Sequence, residues 1–254
     1  MKKPSPTAAI SILGLALGPS PRADSEVAEL KVLAGGSMTG SLNELGPQFE
    51  RASGHKLVIH FDSTPNLIKQ ATSGTPFDLA VVPVDVFKDA GAKARFASGP
   101  TVDIARVGYG VIVRASAAKP DISTSDALKQ TLLNAQSIAF LPESAAGAYV
   151  LSVFGRLGIA ETMKAKTRPQ TAPAQIAQAV AKGDAELGVF LVNVLTAPGV
   201  ELAGSFPAEL QQELVFTAAV AADSRQAEAA KAFINFLTTP AAAAVIKAKG
   251  MKPG

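Results

Sequence analysis

The feature that most constrains this chain is the repeated passage from a short apolar run, through a turn of small residues, into an amphipathic stretch. It starts at Leu30–Ala34, an apolar run of strand length, which meets Gly35-Gly36-Ser37. Met38, Leu42, Leu45 and Phe49 follow at spacings of four, three and four, which is one face of a helix. Gly54 ends that helix in the left-handed conformation open to glycine, and Pro47 inside it predicts a kink or a division into two pieces. Lys56–Phe61 reads as the next strand, with Thr64 as N-cap and Pro65 as first residue of a helix that runs to about Ser73. Phe77–Val82 reads as a third, buried strand, with Asp85 capping a short helix. Strands joined through helices in this way belong to a parallel sheet covered on its faces.

The same logic recurs further on. Ile104–Arg114 reads as one long strand containing Gly108 and Gly110. Ser137–Leu141 leads through a turn at 142–147 into a helix over Ala148–Leu157, and Thr171-Ala172-Pro173 opens another that ends near Lys182. Leu187–Val192 and Leu214–Ala222 are further strands, followed by helices over 225–237 and 240–249. The pattern predicts an α/β chain of two lobes, each a mainly parallel sheet flanked by helices. Residues 24–104 plus 218–254 form the first lobe and 105–217 an inserted second one, with the C-terminal helices returning to the first.

Composition narrows the function. Hydrophobic residues at 48% and charged ones at 18% can bury a core, so wholesale disorder is excluded. Without cysteine there is no disulfide, thiolate metal site or iron–sulfur cluster, and two histidines do not build a multi-histidine metal centre. No metal or other cofactor is expected. The net charge of +3 is spread along the chain with no Lys/Arg run, and aromatics are 6% without tryptophan, so no nucleic-acid footprint is present. Met1-Lys2-Lys3 followed by the apolar stretch Ala8–Gly18 has the form of a secretory leader over residues 1–23, which predicts an exported, periplasmic protein.

Nucleotide-binding glycine loops, a nucleophile elbow and zinc-protease motifs are absent from the sequence. His60 reads as a solvent-facing strand residue, and Asp78, Asp85, Asp184 and Glu186 read as turn or cap residues. Ser116, Ser123 and Ser125 read as loop serines. What recurs is the helix start after a strand, at Gly36-Ser37-Met38, Ser63-Thr64-Pro65, Ser144–Gly147 and Ala172-Pro173. Helix N-termini carry free N–H groups and partial positive charge, and ligands of open α/β sheets bind beyond the strand ends. Four such starts around one cleft would hold a small anion through neutral donors. Taken singly, each Ser or Thr is explained as the cap of its own helix; the recurrence in both lobes favours a shared site.

The ordered set Leu33–Met38, Phe49–His55, Gly74–Leu79, Pro142-Glu143 with Ala146-Gly147, Ala232–Pro240 and Lys249–Met251 resembles the periplasmic molybdate-binding protein family. These are soluble receptors of ABC importers with the second type of periplasmic-binding fold. The resemblance implies hydroxyl donors at Ser37 and at Thr64, with Ser63 adjacent. It implies backbone donors at Ala146, beside Gly147, and at Ile176. The family's tyrosine donor falls on Leu191, which has no donor, and Asn193 is placed two residues on as its substitute. Asp62 beside the site adds a negative charge. Weak or absent molybdate binding is therefore expected, and a larger or less charged ligand fits better. The implied function is binding of a small anion, a molybdate-like oxyanion or a small organic acid, by a monomer that delivers it to a membrane permease. The alternative is an isomerase of a small organic acid on the same scaffold, resembling aconitate isomerase, with His60, Asp62 and Tyr149 as its acid/base groups. An effector-sensing domain of a transcription regulator fits less well, since a leader stands where a helix-turn-helix would be.

Overall fold

The computed structural model describes residue 1 and residues 27–254 of the chain; the secretory leader read over residues 1–23 lies outside them. The first lobe opens with β1 (Glu29–Gly35), a 3-10 turn at Gly36–Met38, α1 (Thr39–Ser53), β2 (Lys56–Asp62), α2 (Thr64–Thr72), β3 (Leu79–Pro83) and α3 (Ala90–Lys93). The chain then passes through β4 (Val102–Val107) into β5 (Tyr109–Arg114), α4 (Ser125–Asn134), β6 (Ile138–Phe140), α5 (Ala145–Arg156), α6 (Ala160–Lys166), β7 (Thr167–Pro169), α7 (Pro173–Lys182), β8 (Leu187–Leu191) and β9 (Val200–Ser205). It closes with β10 (Leu214–Val220), α8 (Ala227–Leu237), α9 (Pro240–Ala248) and β11 (Lys252–Pro253).

These strands make two sheets, ordered β11-β4-β10-β3-β1-β2 and β7-β6-β8-β5-β9. Each is mixed rather than mainly parallel. β1 runs parallel to β2 and β3, and β6 parallel to β7 and β8, as the helical connections require. The antiparallel pairs all involve β4, β5, β9, β10 and β11, the strands that enter, leave or edge a lobe. The single strand read over 104–114 is two strands in two different sheets, parted at Gly108. The other passage between the sheets runs from β9 to β10.

Period-two burial fixes the first sheet. Leu30, Val32 and Ala34 face α1, α8 and α9 through Leu42, Leu45, Phe49, Phe233 and Ile246. Leu33 faces the opposite layer, with Leu67, Ala71, Phe77, Ala92 and Phe96. The Phe49 and Phe233 rings meet at 4.8 Å, which ties the C-terminal helices to α1. In the second lobe Val111, Phe140, Phe154, Ile176 and Val189 are buried together.

α1 runs unbroken through Pro47, contrary to the predicted division. Pro47 is on the exposed face, so the carbonyl one turn back that loses its N–H partner is open to water. α2 begins one residue early, so Ser63 is its N-cap and Thr64 its first residue. α5 begins at Ala145, three residues before the expected start, because Ser144 is its cap. Ser125 is not in a loop but opens α4, capped by Thr124 and anchored inside by Leu128 and Leu132.

Candidate functional site

The ends of β1 and β2 bring Gly36, Ser37, Asp62 and Ser63 to the edge of the first lobe that faces the second. There they border two adjoining cavities. The inner one is about 20 Å³, room for roughly one water, and Thr64, Ser144, Ala146 and Leu191 are among its other walls. The outer one is about 660 Å³ and is completed by the start of α7, by Asn193 and by Lys249 after α9. Gly36, Ser37, Asp62, Ser63 and Pro173 border both, and a Cβ on Gly36 would stand 3.3 Å from Pro173 Cδ across the gap. The two lobes touch at this neck, and any side chain on residue 36 would crowd it.

The hydroxyls at the neck are not spent on their own helices. Ser63 makes no side-chain cap bond, and no side chain caps the 3-10 turn that carries Ser37. Ser37 is 7% exposed and Thr64 8%, so both are buried hydroxyls at a helix start. Thr64 Oγ1 accepts the Ala145 N–H at 3.2 Å, a bond from one lobe to the other. By contrast Ser144 is a cap in the ordinary sense: it accepts the Gly147 N–H at 2.9 Å and donates to the Leu141 carbonyl. With the Ala145 and Gly147 amides engaged, the Ala146 N–H sits between them in the first turn, where no intrahelical acceptor exists.

Six of the eight residues picked out by sequence, Ser37, Ser63, Thr64, Ala146, Leu191 and Asn193, border the two cavities. Gly147 and Ile176 border neither. The Gly147 amide is taken by Ser144, and a Cβ at 147 would fall 1.9 Å from the Leu141 carbonyl oxygen, so its glycine serves close packing. Ile176 is fully buried, with its Cγ2 close to Gly188 on β8. Leu191 is fully buried and gives the inner cavity an apolar wall with Phe190 and Phe216. Asn193 gives one of the two N–H groups of its Nδ2 to the Ser37 carbonyl at 2.8 Å, a second bond between the lobes.

Among the described residues the charged side chains at the cavities are Asp62 and Lys249, and Lys249 is paired to Glu44 at 2.7 Å. Burial by itself would raise the Asp62 carboxyl. Hydrogen bonds from Asn66, the Ser63 amide and His60, with the attraction of His60, outweigh it and hold Asp62 below the usual carboxylate range. Gln70 links the pair, its Nε2 lying 2.8 Å from His60 Nε2 and donating to Asp62 Oδ2 at 3.1 Å. His60 itself is more than half exposed and borders neither cavity. Tyr149 is also outside: its hydroxyl donates to the Leu210 carbonyl at 2.8 Å. Sequence reasoning missed the contribution of Ala248–Gly250 and of Thr171 and Gln178 to the outer cavity. The left-handed Gly250 that stops α9 was the visible signal for the first of these.

Two α/β lobes joined by strands that pass between their sheets, with helix starts from both lobes meeting at one cleft, define a two-lobed solute-binding protein. Residues 30–252 match the model of the bacterial extracellular solute-binding protein family, and the chain belongs to that family. It is 34% identical to the aconitate isomerase of a Pseudomonas species, over 98% of this chain and 96% of that protein. It is 30% identical to the molybdate-binding protein ModA of Azotobacter vinelandii, over 89% and 90% of the two chains. The solved periplasmic molybdate-binding protein of Azotobacter vinelandii superposes with a TM-score of 0.72 at 22% identity, covering 87% of this chain and 98% of that one. This last likeness shows the fold.

Proposed function

We propose that this protein captures a small anion at the neck between its lobes and presents it to the membrane permease of an ABC importer. In this reading it is exported to the periplasm and works as a monomer without a metal or cofactor. The lobe built on the first sheet closes on the inserted lobe built on the second, the chain passing between them at Gly108 and between β9 and β10. One observation carries the reading: Ser37, Ser63, Thr64 and Ala146, all at helix starts, border one cavity, and the three hydroxyls are not used to cap their own helices. Helix-start amides and hydroxyls favour an anion without requiring a countercharge. The relatives that bind molybdate support an anionic ligand. A thermal-shift panel of oxyanions and small carboxylates tests it, since a ligand at 100 times its dissociation constant adds about 2.7 kcal/mol of stability. A panel in which no anion raises Tm contradicts the reading.

A second reading is supported by Asp62 with Gln70 and His60 behind it. Asp62 borders both cavities and is the carboxylate placed to take a proton from a bound organic acid. The aconitate isomerase relative gives this arrangement a chemical precedent. Incubation with cis- or trans-aconitate followed by NMR tests it: interconversion that is lost in Asp62→Asn supports an isomerase, and no interconversion at high protein concentration rejects it.

A further inference from the structure

β2 is the outermost strand of the first sheet, and among the described residues no strand pairs with its free edge. Two hydrogen bonds show which of its groups face outward. Lys56 gives its amide to the Ala28 carbonyl beside β1, whereas the Leu57 amide turns away from β1 and is taken by the Glu50 carboxylate at 2.8 Å. Alternation along the strand then points the N–H and C=O of Leu57, Ile59 and Phe61 to the free edge, and those of Val58 and His60 to β1. Of the three outward amides, that of Leu57 is the one met by a side chain among the described residues. Beside this edge runs a groove of about 290 Å³ between α1 and β2, walled by Leu42, Gly46, Pro47, Leu57, Ile59 and Phe61. On the other face of the strand Val58 is left exposed. An unpaired edge is a template for a further strand and is often blunted by a proline or a bulge; β2 has neither.

The sequence of this strand is complementary to itself. It runs Lys56-Leu57-Val58-Ile59-His60-Phe61-Asp62, with a cation at one end and an anion at the other. Antiparallel pairing with a second copy, centred on Ile59, sets Lys56 against the second copy's Asp62 and Asp62 against its Lys56. The same register sets Leu57 against Phe61, Val58 against His60 and Ile59 against itself. Outward-facing residues then meet outward-facing ones, so Leu57, Ile59 and Phe61 form the hydrogen-bonded pairs. Their apolar side chains meet across the two-fold axis, on the face that carries the groove. Lys56 and Asp62 fall in non-hydrogen-bonded pairs, where opposite side chains stand closest. A slip of two residues either way parts Lys56 from Asp62, and parallel pairing sets like charges together at both ends.

We propose that two copies of this chain pair reversibly through their β2 edges, in an antiparallel two-fold arrangement that joins their six-stranded sheets into one. Each copy keeps a complete cleft of its own and remains the unit that binds the anion. Asp62 ends β2 and borders both cavities, so pairing also brings a lysine of the second copy beside the carboxylate at each neck.

The test is analytical ultracentrifugation of the purified protein from micromolar to millimolar concentration, joined to amide hydrogen exchange over residues 56–62. The wild type should show a monomer–dimer equilibrium that added salt shifts towards monomer. Exchange at Ile59 and Phe61 should slow as the protein concentration rises. Lys56→Asp, at an exposed position, sets like charges together at both ends and should weaken pairing at least about tenfold. Asp62→Lys should weaken it likewise. Mixed together, these two variants should form a heterodimer that neither forms with itself, because each end again joins opposite charges. The wild-type equilibrium and Lys56→Asp decide the matter even if Asp62→Lys fails to fold. A single monomeric species up to millimolar protein overturns the proposal. So does a dimer that is indifferent to Lys56→Asp or leaves exchange at Ile59 and Phe61 unchanged, since another surface then holds it. Monomers in which those two amides are already protected overturn it too, and place another segment of the same chain on the edge.

Discussion

Thr64 and Ala145 are 81 residues apart and hydrogen-bonded across the cleft, the threonine hydroxyl oxygen accepting the first free N–H of α5 at 3.2 Å. The hydroxyl keeps its own proton for a ligand, so the same group joins the lobes and offers a donor to the inner cavity. Ser37→Ala and Thr64→Ala are each expected to weaken binding of the cognate anion by about 1–3 kcal/mol, roughly five- to 150-fold in Kd. Calorimetric titration checks this. Wild-type affinity in both variants, with only a lowered Tm, would make these hydroxyls structural.

Molybdate and tungstate should bind weakly or not at all. Leu191 presents a fully buried apolar wall where the family resemblance places a donor, and Asn193 has committed one of its two amide N–H groups to Ser37. Asp62, held ionised at the neck, repels a dianion. Helix N-termini contribute only about 0.3–1 kcal/mol each at exposed positions. Submicromolar binding of either ion by calorimetry would contradict this account of Leu191 and Asp62.

Gly36→Ala and Gly147→Ala should separate closure from folding. At 36 the added methyl meets Pro173 of the other lobe at 3.3 Å, so ligand affinity should fall while the Tm of the free protein changes little. At 147 it meets the Leu141 carbonyl oxygen at 1.9 Å within the second lobe, so the loss should be in stability, about 1–3 kcal/mol or more by urea unfolding. The reverse pattern would mean that the neck has been misplaced.

Gln211 clasps the two passages between the lobes. Its Oε1 accepts the Tyr109 N–H at 2.8 Å and its Nε2 donates to the Tyr109 carbonyl at 2.9 Å, beside Gly108 where β4 gives way to β5. Phe206 also donates to that carbonyl, so Gln211→Ala strands mainly the N–H. The expected cost is about 1–3 kcal/mol, read by urea unfolding. An unchanged midpoint would show that water replaces the clasp.

The elements legible in the sequence were those whose periodicity is local. The stripe Met38–Leu42–Leu45–Phe49 is buried as read, and the strands at 30, 56, 187 and 214 are where β-rich runs predicted them. What escaped depends on partners distant in sequence. β9 is half-exposed with Gly204 inside it and exists because β5 pairs with it. β7 is three residues long and is held by β6. α4 was hidden by its serines, although Leu128 and Leu132 at a spacing of four carried the signal. At the site, small residues after strands found the inner cavity. They did not show that Ser144 would take the Gly147 amide, nor that the end of α9 would wall the outer cavity.

Asp62 also sets a pH dependence. Its folded-state pKa is lowered, so the stability it contributes is full above the unfolded value and is lost as pH falls through the folded one. The Tm difference between wild type and Asp62→Asn should be flat at neutral pH and shrink only below about pH 4. A difference that stays constant throughout the acid range would contradict this role for the Asp62 carboxylate.

The most direct test of the central claim is a crystal structure of the protein with its tightest-binding small anion. The account predicts anion oxygens at about 2.7–3.2 Å from the Ala146 nitrogen and from the hydroxyls of Ser37 and Ser63 or Thr64. An anion bound elsewhere, with those groups satisfied only by one another or by water, would contradict it.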